Sequence, residues 1–105
     1  GLGSDVKNSL IADGCIINGT VENSILFRGC RVERGAVVKN SILFRGVTVE
    51  KDAVVENCIL MQETAVGAGV QLNNVVADKN AVISENMVLK GTPDKCFFIK
   101  KNQVL

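Results

Sequence analysis

The segment Val32-Glu-Arg-Gly-Ala-Val-Val-Lys-Asn-Ser-Ile-Leu43 returns almost unchanged as Val49-Glu-Lys-Asp-Ala-Val-Val-Glu-Asn-Cys-Ile-Leu60, a period of 49 − 32 = 17 residues. A fixed period of this length marks an architecture in which each copy buries its apolar side against the next. Aliphatic positions at Leu26, Val32, Val38, Leu43, Val49, Val55, Leu60, Val66, Leu72, Ala77, Ile83 and Leu89 advance in repeating steps of 6, 6 and 5. Upstream, Val6, Ile11, Ile17 and Val21 continue the series with steps of 5, 6 and 4, so the first coil turns one corner with fewer residues.

An amphipathic helix needs apolar steps of three and four, and a hairpin meander needs alternating runs joined by short turns. Six-residue steps instead fit a short strand plus a corner, three to a coil, with one aliphatic side chain per side pointing at the axis. The expected fold is all-β: a left-handed parallel β-helix of about five coils over residues 6–90. Residues 1–5 read as a linker or leftover segment. Trp and Tyr are absent, so the core rests on many similar branched side chains and not on aromatic anchors.

Two residues before the ladder positions, on the same strand face, stand the small Cys15, Ser24, Cys30, Ala36, Ser41, Ala53, Cys58, Thr64 and Ala81. Tight corners predict such a column. Residues tolerant of positive φ recur with the coil, as Gly29, Gly46 and Asn80 and as Gly35, Asp52, Gly69 and Asn86. Asn8, Asn23, Asn40, Asn57 and Asn74 form a third column, whose amides are expected to stack and hydrogen-bond along the axis. The pattern breaks at Lys90-Gly-Thr-Pro-Asp-Lys95, and Pro93 has no N–H for a ladder, so the β-helix is expected to end there. The remainder, 91–105, reads as a strand-like tail packing over the open end or side of the stack.

Chemistry is scarce in this chain. Histidine is absent, which removes the general base of hexapeptide-type acyltransferases and the zinc ligands of β-helical carbonic anhydrases. The four cysteines show no Cys-x-x-Cys spacing and read as free thiols, three of them inward. Gly67-Ala-Gly-Val70 has no following helix or Lys-Ser/Thr and reads as a corner, not a phosphate loop. Arg28 and Arg45 recur one coil apart and are the only candidate contacts for a phosphate-bearing effector, although pairing with Glu33 or Glu63 is the simpler reading. No catalytic, cofactor-binding or metal-binding residue is expected. The net charge of +1, spread along the chain, points to neither nucleic acid nor membrane as partner, and with no apolar run of membrane-spanning length the expected location is the cytoplasm.

The strongest surface feature is apolar. Residues flanking one set of ladder positions point outward and read Leu10, Ile25, Ile42, Ile59 and Val76 in one column and Phe27, Phe44 and Met61 in the next. Equivalent columns elsewhere carry Arg31, Thr48 and Ala65, or Lys39 and Glu56. A contiguous apolar wall on a solenoid is expected to be covered by another domain or subunit.

The run Asn-Ser-Leu-Ile-Ala-Asp-Gly-Cys-Ile-Ile-Asn-Gly-Thr-Val-Glu-Asn-Ser-Ile-Leu-Phe-Arg-Gly over 8–29, with Gly-Ala-Val-Val-Lys-Asn-Ser-Ile-Leu over 35–43 and the ending Phe-Ile-Lys-Lys-Asn-Gln-Val-Leu, resembles glucose-1-phosphate adenylyltransferase (ADP-glucose pyrophosphorylase). Within that family it looks like the C-terminal β-helix domain of the GlgD-type subunit. The resemblance implies a parent with an N-terminal nucleotidyltransferase domain that joins glucose 1-phosphate to ATP. It also implies a non-catalytic role for this domain in glycogen biosynthesis: packing on its own catalytic domain, oligomerising with other adenylyltransferase subunits, and regulation. The family's nucleotide loop, metal-binding acids and sugar-phosphate lysine have no counterpart here, so no catalytic role carries over to any position. Two other readings stand beside it: the β-helix domain of a mannose-1-phosphate guanylyltransferase-type protein, and a hexapeptide acyltransferase fragment.

Overall fold

A computed structural model describes residues 4–105 and shows a three-sided parallel β-helix. The first face stacks β1 (Asp5–Lys7), β4 (Thr20–Glu22), β7 (Val37–Lys39), β10 (Val54–Glu56), β13 (Gln71–Asn73) and β16 (Val88–Lys90). The second stacks β2 (Leu10–Ile11), β5 (Ile25–Leu26), β8 (Ile42–Leu43), β11 (Ile59–Leu60), β14 (Val75–Ala77) and β17 (Phe97–Ile99). The third stacks β3 (Ile16–Ile17), β6 (Arg31–Val32), β9 (Thr48–Val49), β12 (Ala65–Val66) and β15 (Val82–Ile83). Every pairing is parallel, and Val32 stands opposite Val49, which stands opposite Val66, as the 17-residue period requires. Strand pairing begins at Asp5, one residue ahead of the expected boundary, and residues 1–3 of the expected linker lie outside the described residues.

Parallel strands ordinarily need helical crossovers. Here the coil itself is the crossover, and each backbone group finds its partner one coil away, as in Ile25 N–H to Ser41 O at 3.0 Å and Phe27 N–H to Leu43 O at 2.9 Å. The axis is filled by Val21, Leu26, Val32, Val38, Leu43, Val49, Val55, Leu60, Val66, Leu72, Ala77 and Ile83, all essentially inaccessible. At the first coil the core thins: Val6 is 44 % exposed, and Ile11 and Ile17 are only partly buried.

The shortened corner lies between β3 and β4, where Ile16 opposes Arg31 and Asp5 opposes Thr20 at offsets of 15, not 17. Gly19 makes it feasible. A Cβ there would sit 2.4 Å from Ala36 O and 2.7 Å from Glu33 O, so only glycine lets the cut corner lie against the coil above.

The tail packs on the stack as a strand in register, Phe97, Phe98 and Ile99 pairing with Val75, Val76 and Ala77. The offset is 97 − 75 = 22 residues, one period plus five, and the same offset joins Val104 to Val82 on the third face. The Pro93 segment is thus an insertion at a corner, closed by the Thr92–Lys95 backbone pair, after which β16, β17 and Val104 form a sixth coil. Ile99 is completely buried in it.

Candidate functional site: the apolar face and its flanking corners

Outward from the second face run Leu10, Ile25, Ile42, Ile59 and Val76, each opposite the next across the strand pairs. The structure brings all five into one column and adds a sixth residue, Phe98, which stands opposite Val76 and is 58 % exposed. Reading the chain from sequence missed Phe98, since the five-residue insertion shifts it out of the 17-residue phase. The signal that finds it is the return of Lys79-Asn80 as Lys101-Asn102 once 22 is used as the offset. Leu10 is the most open member at 70 %, while Ile42 and Val76 are half-buried by their neighbours above and below.

Beside this column lies the aromatic one. Phe27 and Phe44 stack with ring centroids 5.1 Å apart and planes inclined by 12°, and Met61 follows, half-buried. Parallel rings at this spacing gain from offset stacking. The polar columns of the first face contrast with it: Lys7, Glu22, Lys39 and Glu56 alternate in charge, with Lys39 Nζ 4.0 Å from Glu22 Oε1. Such exposed pairs contribute little, and their value is solubility.

Arg28 and Arg45 lie next to the aromatic column, at the corner between second and third faces. They line a shallow depression with Asp13, Gly14, Gly29, Gly46 and Glu63. Arg45 Nη1 is 4.0 Å from Glu63 Oε1 with both side chains about half exposed. Arg28 makes no ion pair among the described residues, and Glu33 is instead held by Arg31 Nε at 3.0 Å. The two carboxylates in the same depression offset the two guanidinium groups.

The corner columns explain why the face is straight. Asn8, Asn23, Asn40, Asn57 and Asn74 all adopt the left-handed conformation, with φ between 48° and 56°. Among the described residues, an amide-to-amide bond between coils is found only from Asn8 Nδ2 to Asn23 Oδ1, at 2.6 Å, while Asn74 Nδ2 donates to its neighbour Asn73. The column is therefore chosen for backbone conformation more than for an amide ladder. The ladder that does form uses the next residue. Ser24 N–H donates to Ser9 Oγ, Ser41 N–H to Ser24 Oγ and Cys58 N–H to Ser41 Oγ, each at 3.1 Å, while each hydroxyl donates back to the carbonyl two residues earlier.

The small inward column is looser than expected, because Val47, Val70 and Val75 occupy equivalent corner positions and are fully buried. A β-branched side chain fits where the strand has room to lean along the axis. Cys15 is half-buried, Cys30 and Cys58 are buried, Cys96 is exposed, and all four thiols are free. Burial pushes the Cys30 and Cys58 thiols up to about 11. Among the described residues no cluster of three or more His, Cys, Asp or Glu could hold a metal ion. The described residues form no helix long and apolar enough to cross a membrane.

Comparison with known proteins agrees with this geometry. The chain is 62 % identical over 34 residues to the glycogen biosynthesis protein GlgD of Geobacillus stearothermophilus, covering 32 % of this chain and 10 % of that protein. It is 51 % identical over 35 residues to the glucose-1-phosphate adenylyltransferase of the same organism, covering 33 % of this chain and 9 % of the enzyme. Against GlgD of Bacillus subtilis strain 168 it is 59 % identical over 32 residues, covering 30 % and 9 %. These aligned stretches span about a tenth of the length of the curated relatives. The family model for the GlmU-like, C-terminal hexapeptide domain matches residues 2–60 and 29–96, nearly the whole coil stack, and the chain belongs to that family.

Proposed function

We propose that this chain is a non-catalytic assembly and regulatory domain of a glucose-1-phosphate adenylyltransferase subunit, serving glycogen biosynthesis in the cytoplasm. The observation that carries the proposal is the wall of the second face: six stacked apolar residues from Leu10 to Phe98, flanked by Phe27, Phe44 and Met61. A contiguous apolar strip on one side of a solenoid that carries an alternating Lys and Glu column on another has the composition of an interface core with a polar rim. Its partners are the catalytic domain of its own parent and neighbouring adenylyltransferase subunits. The similarity to GlgD and to glucose-1-phosphate adenylyltransferases supports the pathway. Catalysis is assigned to the partner domain, a reading supported by the lack of any histidine in the sequence to act as general base.

Regulation is read as mechanical: the wall fixes how subunits sit, and so how their active sites respond. An effector phosphate bound by Arg28 and Arg45 ranks below this, given the carboxylates of Asp13 and Glu63 in the same depression.

Sedimentation velocity on the full-length parent tests the proposal. Ile42→Asp with Phe44→Asp places two carboxylates in the middle of the wall without touching the axis, and is expected to dissociate the assembly and abolish activation of the catalytic partner. Unchanged association and activation would refute the interface.

A further inference from the structure

Cys15 and Cys30 hold the same position in the first and second coils, since 30 − 15 = 15 is the offset by which Ile16 opposes Arg31 immediately after them. The column continues as Val47, Thr64 and Ala81, so two stacked thiols occur only at this end of it. Both thiols are free. Each donates to a carbonyl of the coil above, Cys15 Sγ to Phe27 O at 3.2 Å and Cys30 Sγ to Phe44 O at 3.1 Å. Adjacent parallel strands lie about 4.8 Å apart, inside the roughly 4.4–6.8 Å Cα separation that a disulfide spans. Cys15 is half-buried in the coil with the most exposed axial residues, so a small reagent reaches it first.

We propose that Cys15 and Cys30 form a redox-modifiable pair that a low-molecular-weight disulfide converts to an intramolecular disulfide stapling the first coil to the second. In the first step the Cys15 thiolate attacks one sulfur of the reagent, whose S–S bond breaks, and the departing thiolate takes up a proton. In the second, the Cys30 thiolate attacks the Cys15 sulfur of the mixed disulfide and expels the other half of the reagent. The protein thiols together lose two electrons and two protons, and the reagent disulfide gains both. Burial of Cys30 keeps its thiol protonated at neutral pH, so the second step is slow there and accelerates with rising pH. Terminal coils of a stacked repeat open most readily, and the staple removes that opening.

The test uses the 105-residue chain carrying Cys96→Ser, incubated with excess oxidised glutathione at mildly alkaline pH and quenched in acid. The expected product is about 2 Da lighter, as loss of two hydrogens requires. On tryptic digestion it yields the peptide ending at Arg28 joined to Gly29-Cys-Arg31, a link that reductant removes. Amide exchange over Leu10–Asn18 is expected to slow, and the melting temperature to rise by several degrees. With Cys30→Val added, which places in this column the residue already found at Val47, Cys15 is expected to stop at the glutathione adduct. A Cys15 that stays unreacted, an adduct that persists with Cys30 present, or a linkage involving Cys58 would overturn the proposal.

Discussion

Replacing Ser41 by alanine removes one atom from a buried hydroxyl ladder, and the structure fixes what that costs. Ser41 is 3 % exposed, and its Oγ is the acceptor for Cys58 N–H, which has no other acceptor among the described residues. The carbonyl that Ser41 serves as donor, Lys39 O, keeps its bond from Asn57 N–H at 3.0 Å, so the loss falls on a single orphaned amide. A buried N–H left without a partner costs about 1–3 kcal/mol, and the volume removed is too small to add much. Ser41→Ala is expected to lower unfolding free energy by about 2 kcal/mol in urea titrations, or roughly 10 °C in melting temperature for a domain of this size. Ser41→Cys is expected to cost less than about 1 kcal/mol, because the next rung already holds a thiol: Cys58 Sγ donates to Glu56 O at 3.1 Å. Ser9→Ala, at the half-buried first rung, gives the comparison, with an expected cost of about 0.5 kcal/mol. Equal losses for Ser9→Ala and Ser41→Ala would show that the hydroxyl column is incidental.

Other consequences follow from single residues. Gly19→Ala is expected to cost about 3 kcal/mol by differential scanning calorimetry, since its Cβ would meet two backbone carbonyls. Gly29→Ala, with nothing within 4 Å of the new Cβ but φ at +73°, should cost only about 1 kcal/mol, so a reversed order would refute the crowding argument. Glu63 is held at φ 62° in a column otherwise served by Gly14, Gly29, Gly46, Asn80 and Asn102, and its ion pair with Arg45 is long and exposed. Glu63→Gly is therefore expected to stabilise the chain by about 0.5–1 kcal/mol, read as a higher urea midpoint. The Cys30 and Cys58 thiols ionise at about 11 in the folded chain, against an ordinary 9.0 that applies once unfolded. The unfolded chain thus loses these protons first, so stability is full below pH 9 and falls as pH climbs from 9 to 11, by up to about 3 kcal/mol per thiol. Cys30→Val should flatten that fall by about half, and an unchanged alkaline slope would sink the assignment.

Most of the architecture was legible because the axis accepts one aliphatic residue per six, and Val32, Val49 and Val66 advertise that spacing directly. The apolar wall was legible for the same reason, its outward residues being locked in phase with the inward ones. What escaped reading were departures from phase and uses of polar atoms. Phe98 and Ile99 pair on the stack, but five inserted residues around Pro93 hide their register. The asparagine column was visible, but its amides do less than its backbone conformation, and the serines beside it carry the inter-coil bonds. Composition gives no hint of which neighbour supplies an acceptor. Nor does it reveal that the Val75 rung does without a hydroxyl, the Phe97 N–H bonding to Asn74 O in its place at 2.9 Å.

Coil lengths of 15, 17 and 22 residues coexist in one unbroken stack, and every change of length falls at a bend. Straight edges keep their phase whatever happens between them, which makes this fold forgiving of insertions in a way that most small domains are not. The turn opened by Thr92-Pro-Asp-Lys95 borders the hydrophobic strip, so lengthening it offers a route by which related chains acquire new partners while leaving the scaffold untouched.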